Sequence, residues 1–169
     1  MLTGIGVTLL GVFYLAFLGG FLVATRTGFD GRTDLSGKLL GYFFLVIFAS
    51  DIGAYFAGRA LGKHKLAPAI SPGKTVEGLI GGLLLAAGAA AVATTLFFPE
   101  LPFQWSIPLA IVLASVGVLG DLAESAMKRG SNTKDAASIL PGHGGFLDRL
   151  DSLLFGAPIL YYFARFYFS

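Results

Sequence analysis

Cysteine is absent from this sequence, and charged residues make up only 13% of it. Without thiols the chain can form no disulfide framework and can carry out no thiol chemistry. A soluble domain would be about one quarter charged, whereas 55% of these 169 residues are hydrophobic. The scarcity of charge therefore argues against a soluble globular protein.

The hydrophobic residues are gathered into uncharged runs that are long enough to cross a bilayer. Residues 1–25, 78–99 and 101–120 contain no charged side chain. Runs of about 18 or more apolar residues are typical of transmembrane helices. We predict an all-α integral membrane protein that forms one domain, 1–169, with about five transmembrane helices. The predicted spans are residues 2–24, 39–58, 78–98, 107–128 and 145–168.

The cations between the spans predict how the helices are oriented. Segment 59–77 carries four cations, the segment after the fourth predicted span is also basic, and the turn 99–106 carries none. Cytoplasmic loops of membrane proteins are enriched in Lys and Arg. We therefore place both basic segments in the cytoplasm, where the two polar segments would form the site together.

Acidic residues lie beside the fourth and fifth predicted spans at helical spacing. Asp121 falls inside the fourth span, and Asp148 and Asp151 are three residues apart at the start of the fifth. That spacing puts two side chains on one face of a helix. A carboxylate within a span is costly and needs a partner, and several hard oxygen ligands together suit Mg²⁺. We predict that these three aspartates bind a metal and are catalytic.

Cations and a glycine-rich turn next to these acids are suited to a polyphosphate. Arg and Lys neutralise phosphate, and the turn 141–145 lets backbone approach a ligand just before a helix N-terminus. This combination predicts a metal–nucleotide site for phosphoryl or nucleotidyl transfer. Lys128 is predicted to be catalytic, and the predicted substrate-binding residues are Arg129, Lys134, His143, Gly144, Gly145 and Arg149.

An ordinary juxtamembrane loop is the alternative explanation for this stretch. It would carry cations for topology, acids to balance them and glycines for its turns. Asp121 inside a span, together with the pair Asp148 and Asp151, favours the functional interpretation. His143 taken alone favours a structural role, such as capping a helix, over proton transfer.

The other polar segment ends at the third predicted span. We predict Ser71 as the cap of that helix, so that Lys74 and Thr75 lie at its N-terminal end. All three residues are predicted to bind substrate. Plain helix initiation explains Ser71 and Thr75 about equally well. The sequence PGKT is not a phosphate loop, because Pro68 occupies the first glycine position and no strand is expected before it. Asp51, inside the second span, could pair with a cation or assist the metal site.

Residues 125–151 contain a long ordered pattern of functional residues. It reads Ser-x-x-Lys-Arg, four residues, Lys-Asp, and then Pro-x-His-Gly-Gly-x-x-Asp-Arg-x-Asp. This pattern resembles the signature of the phosphatidate cytidylyltransferases, also called CDP-diacylglycerol synthases. Segments 51–78 and 120–125 are also similar to that family, so the resemblance covers about residues 40–160.

The resemblance implies a reaction of phospholipid biosynthesis, in which CTP and phosphatidate give CDP-diacylglycerol and pyrophosphate. It implies Mg²⁺ as cofactor, with a second cation such as K⁺, and places the metal site on Asp121, Asp148 and Asp151. It further implies a homodimer in the bacterial cytoplasmic (inner) membrane, with the site facing the cytoplasm and membrane lipid as substrate. We expect no nucleic-acid partner.

The sequence departs from the family in length and leaves three alternatives open. Bacterial members usually carry several more spans ahead of the region that matches here. A compact CDP-archaeol synthase would act on an ether lipid, and a CTP-dependent lipid kinase would release CDP instead of pyrophosphate. An inactive truncated form would bind lipid or a longer partner without turnover.

Overall fold

The computed structural model describes residues 11–29, 33–130 and 150–168 and shows a bundle of helices with one small hairpin. The first element of the described region is the π-helical turn Phe13–Phe17. The remaining elements, in chain order, are α1 (Leu18–Thr27), α2 (Thr33–Leu61), β1 (Lys65–Ala67), β2 (Ser71–Thr75), α3 (Val76–Leu96), α4 (Phe103–Gly130) and α5 (Asp151–Phe168).

Three of these helices are long and apolar enough to cross a membrane, over Asp34–Leu61, Val76–Leu96 and Phe103–Arg129. The apolar helix Phe13–Thr27 is shorter, and α5 has 18 residues. These two shorter helices pack together through aromatic rings, among them Phe21 and Tyr161 at 5.5 Å. The prediction of an all-α integral membrane protein is confirmed. Residues 2–10 and 145–149 of the predicted first and fifth spans lie outside the described residues.

Two helices extend beyond their predicted bounds. The second span was predicted over residues 39–58, whereas α2 runs from Thr33 to Leu61. The fourth was predicted over residues 107–128, whereas α4 runs from Phe103 to Gly130. Hydropathy falls where the chain reaches the polar interface, but backbone hydrogen bonding can continue there. The added turns therefore carry charged residues that a hydrophobic run does not include.

Helices α2 and α3 are in backbone contact. A Cβ placed on Gly53 would lie 2.6 Å from the carbonyl oxygen of Gly81, and one placed on Gly81 would lie 2.2 Å from the Cβ of Ala57. Only glycine fits at such an approach, as is common between transmembrane helices. This contact fixes the ends of α2 and α3 close together and so positions the hairpin that joins them.

The core lies around α2, whose Tyr42, Phe43 and Val46 are fully buried. Small residues of α3 and larger aliphatic residues of α4 and α5 pack against this face. The hydroxyl of Tyr42 donates to the carbonyl of Ser106 in α4 at 2.5 Å, which satisfies a polar group inside the bundle. Large apolar side chains such as Leu84 remain exposed on the outside, where lipid chains would cover them.

The last turn of α4, where the second polar segment begins, contacts the hairpin at one end of the bundle. Arg129 Nε, on the last turn of α4, donates to the carbonyl of Ile70 in the hairpin at 3.0 Å. The opposite end is marked by Lys38, whose ammonium lies 2.7 Å from the carboxylate of Glu100. Residues 131–149 of the second polar segment lie outside the described residues, so the predicted meeting of the two segments stays a prediction beyond this contact.

Segment 59–77 contains an antiparallel hairpin that the all-α prediction did not include. Strand β1 pairs with β2, with Lys65 opposite Thr75 and Ala67 opposite Ser71. The prediction that Ser71 caps the helix was wrong, because strand pairing keeps the backbone extended through Thr75. Thr75 is the cap instead, and its Oγ1 accepts from the backbone N–H of Gly78 at 3.1 Å.

The expectation that no strand precedes the sequence PGKT was wrong. A short strand, β1, does precede this sequence, and PGKT itself lies in β2. The phosphate-loop motif still fails, because it requires a glycine where this chain has Pro68.

Candidate active site

A cavity of about 650 Å³ opens at the end of the bundle that carries the hairpin. Its volume is within the range usual for small-molecule sites. Helices α2, α4 and α5 form its walls together with the hairpin and the start of α3. The polar residues that line it are Asp51, Tyr55, Arg59, Lys74, Thr75, Asp121, Asp151 and Ser152.

Carboxylates from three different helices face this cavity. Asp51 comes from α2, Asp121 from α4, and Asp151 is the first residue of α5. Glu124 lies one turn beyond Asp121 and is only 4% exposed. Three carboxylates and two cations, Arg59 and Lys74, therefore line the cavity, and an anionic ligand would require added positive charge beside the carboxylates.

Asp121 has a cationic partner from the hairpin. Lys74 lies on β2, and its ammonium donates to Oδ2 of Asp121. The hydroxyl of Ser125 donates to the other oxygen of the same carboxylate at 3.4 Å. A carboxylate within a membrane-spanning helix needs such compensation. The pair also ties the hairpin to α4 across the cavity.

Backbone contact between α4 and α5 brings Asp121 and Asp151 together. Gly120 directly precedes Asp121, and a Cβ placed on Gly120 would lie 2.7 Å from the carbonyl oxygen of Asp151. Asp151 is only 5% exposed, and its carboxylate accepts from the backbone N–H of Ser152 at the start of α5. An acid at a helix N-terminus is stabilised by the helix dipole. The two acids therefore occupy one wall of the cavity.

Glu77 holds the beginning of the hairpin. Its carboxylate accepts from the backbone N–H groups of Lys63 and His64 and lies 2.6 Å from Nδ1 of His64. These bonds fix the chain between α2 and β1 against the first turn of α3. The open end of the hairpin, where the strand that carries Lys74 meets α3, is thus anchored.

Residues 2–167 match the family model described as the cytidylyltransferase family. The chain belongs to this family. It is 48% identical over 121 residues to the phosphatidate cytidylyltransferase of Bacillus subtilis, a match that covers 72% of this chain and 45% of the relative. The corresponding enzyme of Staphylococcus haemolyticus is 45% identical over 149 residues, covering 86% and 55% of the two chains.

A third relative, the phosphatidate cytidylyltransferase of Haemophilus influenzae, is 46% identical over 129 residues, or 74% of this chain and 45% of that enzyme. The chain thus spans about half the length of the curated relatives it matches. The resemblance drawn from the sequence pattern is confirmed at the level of the family.

The structure places the predicted site residues of this chain differently. Asp121, Asp151, Lys74 and Thr75 line the cavity, whereas Ser71, at the start of β2, is not among its lining residues. Lys128 and Arg129 lie on the last turn of α4, where Lys128 is 3.5 Å from Glu124. Those outside the described residues are Lys134, His143, Gly144, Gly145, Asp148 and Arg149.

The predicted metal site is only partly described. Asp121 and Asp151 face the same cavity, while Asp148 lies outside the described residues. Within residues 11–29, 33–130 and 150–168, no three acidic or histidine side chains converge closely enough to enclose a metal ion. The three-aspartate site therefore stays a prediction.

Sequence reasoning missed two cavity residues on α2. Tyr55 and Arg59 line the cavity with Asp51, and the three residues are spaced by four along one helix. A signal was present, because residues four apart share a face. Arg59 was interpreted only as one of the four cations of segment 59–77 that indicate topology. Which face of α2 borders a cavity depends on how the helices pack.

Proposed function

We propose that this chain carries the active site of a phosphatidate cytidylyltransferase, which converts CTP and phosphatidate to CDP-diacylglycerol and pyrophosphate. The observation that carries the proposal is the cavity in which Asp121, Asp151 and Lys74 meet, in a membrane protein of the cytidylyltransferase family. The substrates are supported by the relatives, which are phosphatidate cytidylyltransferases.

The reaction needs positioning and charge neutralisation more than proton transfer. A phosphate oxygen of phosphatidate attacks the α-phosphorus of CTP and forms the new P–O bond. The bond between the α-phosphorus and the oxygen that bridges to the β-phosphate breaks, and pyrophosphate leaves with the electron pair. The attacking oxygen is already anionic near neutral pH, so no strong general base is required. Catalysis of this kind depends on holding the reacting groups in line and neutralising their charges.

The acidic wall fits a divalent metal. Asp121 and Asp151 offer oxygen ligands to one cavity, which is the ligand chemistry that Mg²⁺ prefers. When bound, such an ion would neutralise the triphosphate and the departing pyrophosphate. We propose Asp121, Asp148 and Asp151 as its ligands, and a second cation such as K⁺ remains part of the proposal without an assigned ligand.

Lys74 is the cavity cation best placed to contact a nucleotide phosphate. Its ammonium reaches the Asp121 carboxylate, so it lies beside the proposed metal ligands. A lysine ammonium is a compact point charge that can bind a phosphate oxygen next to such a metal. Thr75 lies beside it, lines the cavity, and caps α3 through its hydroxyl.

The location of the site agrees with a lipid substrate. The cavity lies at one end of the membrane helices, where a phosphate headgroup can enter while its acyl chains stay in the bilayer. The basic character of both polar segments supports a cytoplasmic orientation, and the bacterial relatives support an inner-membrane location. A homodimer is part of the same proposal.

Pyrophosphate release by the purified chain tests this function. The chain, in detergent–lipid micelles, would receive CTP, phosphatidate and Mg²⁺, with CDP-diacylglycerol identified as the lipid product. We expect Asp121→Asn and Asp151→Asn to lower the rate at least 100-fold, an order of magnitude typical for loss of transition-state charge stabilisation. Asp34→Asn is the matched control, because Asp34 is an exposed acid at the opposite end of the bundle.

Three results would contradict the proposal. If both aspartate variants released pyrophosphate at the wild-type rate, Asp121 and Asp151 would have no part in the reaction. Formation of CDP with a phosphorylated lipid would identify a kinase. A strong preference for a diether phosphatidic acid over the diacyl form would favour the archaeol-type enzyme.

A further inference from the structure

The cavity contains a cation that is not paired with an acid. Arg59 lies in the last turn of α2, and its Nη1 donates to the hydroxyl of Tyr55 at 2.8 Å. Among the described residues Arg59 makes no ion pair, whereas Lys74 is bonded to Asp121. Both Arg59 and Tyr55 line the cavity. Its guanidinium therefore has charge and donors available to a ligand.

Arg59 is also placed at the boundary between the cavity and the lipid. Phe48, Ile52 and Phe56 precede it along α2 and are 51%, 52% and 64% exposed. On a membrane-spanning helix such exposed apolar side chains face the acyl chains of the bilayer. An arginine at the end of such a helix lies at headgroup depth. The apolar strip of α2 thus leads directly to the guanidinium.

The other charged residues of the cavity are less suited than Arg59 to bind a second phosphate group. The wall that carries Asp121 and Asp151 would repel a phosphate monoester, and Lys74, which pairs with Asp121, is the cation proposed for the nucleotide phosphate. A guanidinium stays charged at every relevant pH and can grip a phosphate with two parallel hydrogen bonds. The two substrates of the proposed reaction each bring phosphate, so two separate cationic contacts are needed.

We propose that Arg59, oriented by Tyr55, binds the phosphate monoester of the lipid substrate as it enters the cavity from the bilayer along α2. The inference rests on the proposed function and adds to it the residue that selects the lipid. Phosphate could also come from CTP, so the test must separate the two sources. Tyr55 is a positioning residue in this scheme, since it acts through Arg59.

Two substrate titrations distinguish these sources. Pyrophosphate release is measured against the surface fraction of phosphatidate at saturating CTP, and against CTP at saturating phosphatidate. We expect Arg59→Gln to raise the half-saturating phosphatidate fraction about tenfold, as expected for a lost charged hydrogen bond, with the CTP value unchanged. Arg59→Lys should recover part of the loss, and Tyr55→Phe should cause a two- to threefold rise, about the cost of a weak neutral hydrogen bond.

Arg165→Gln is the matched control. Arg165 is an exposed arginine in the last turn of α5, four residues after Tyr161, at the far end of the bundle. It has the same four-residue spacing from a tyrosine as Arg59 has from Tyr55, but it lies away from the cavity. Its replacement should leave both titrations unchanged. Thermal unfolding of each variant in detergent shows whether the protein is folded.

Direct binding separates failure of this inference from failure of the proposed function. Binding of short-chain phosphatidate to wild type and Arg59→Gln is measured by calorimetry without CTP. If the wild type releases no pyrophosphate, the proposed function fails. Weaker binding of phosphatidate by Arg59→Gln than by the wild type would still support Arg59 as the residue that binds the lipid phosphate. Equal binding by both proteins, or none by the wild type, would overturn the inference. So would a rise in the half-saturating CTP concentration in place of the phosphatidate value.

Discussion

Replacing Gly120 with alanine would separate the two helices that carry Asp121 and Asp151. The new Cβ would lie 2.7 Å from the carbonyl oxygen of Asp151 and 3.1 Å from the Cβ of Phe155. Ordinary carbon–oxygen contact begins near 3.4 Å. The backbones of α4 and α5 must therefore move apart by about 0.7 Å, because neither contact is with the end of a flexible side chain.

That displacement should lower both the stability and the activity of the protein, for different reasons. Overpacking of this kind costs about 1–3 kcal/mol of unfolding free energy. The same shift changes the separation of two proposed metal ligands, and a misplacement near 1 Å can reduce catalysis by about 100-fold. We expect Gly120→Ala to lower pyrophosphate release at least tenfold (an estimate on the same basis) and to lower the unfolding temperature in detergent.

Gly88→Ala is the matched control for this experiment. Gly88 lies within α3, and a Cβ placed there would meet nothing within 4 Å. Alanine is favoured over glycine in a helix by about 1 kcal/mol, so this variant should be as stable as the wild type or more so. Full activity of Gly120→Ala would refute the argument that backbone contact at Gly120 positions the two acids.

Three further predictions concern ion pairs and a helix cap. Lys74→Met leaves the Asp121 carboxylate without its cation and should cost about 1–3 kcal/mol in unfolding free energy, part of which the double variant with Asp121→Asn should recover. The hydrogen bond from Lys38 holds the pKa of Glu100 below its ordinary value of 4.5. The stability that this pair contributes is therefore present above that value and lost as the pH falls through the lowered pKa, and Glu100→Gln should make the melting temperature less dependent on pH below about 4.5. Thr75→Ala removes the cap of α3 and should cost about 1 kcal/mol, whereas Thr75→Ser should restore it, as measured by thermal unfolding.

The membrane class and two of the site acids could be predicted from the sequence. Uncharged runs are a local property, and a helix needs about 20 apolar residues to cross the bilayer wherever it lies in the chain. Asp121 stood out because a carboxylate inside such a run is costly. Asp151 stood out through its spacing from Asp148 and through the family pattern.

The hairpin and the true cap of α3 could not be predicted in the same way. Ser71 followed by Pro72 has the local features of a helix start. Pairing of β2 with β1 overrides that preference and delays the helix until Thr75. The outcome depends on hydrogen bonds to a strand that local propensity does not reveal.

The sequence by itself determined that this chain spans a membrane and carries acids beside its fourth and fifth predicted spans, because hydrophobic length and helical spacing are set by neighbouring residues. The resemblance of residues 125–151 indicated the family. Only the tertiary structure decided that Lys74 pairs with Asp121, 47 residues away, and that Arg59 shares their cavity. Those contacts depend on how closely α2, α3, α4 and α5 approach. Glycines at the helix contacts permit that approach, and its result is visible only once the helices are packed.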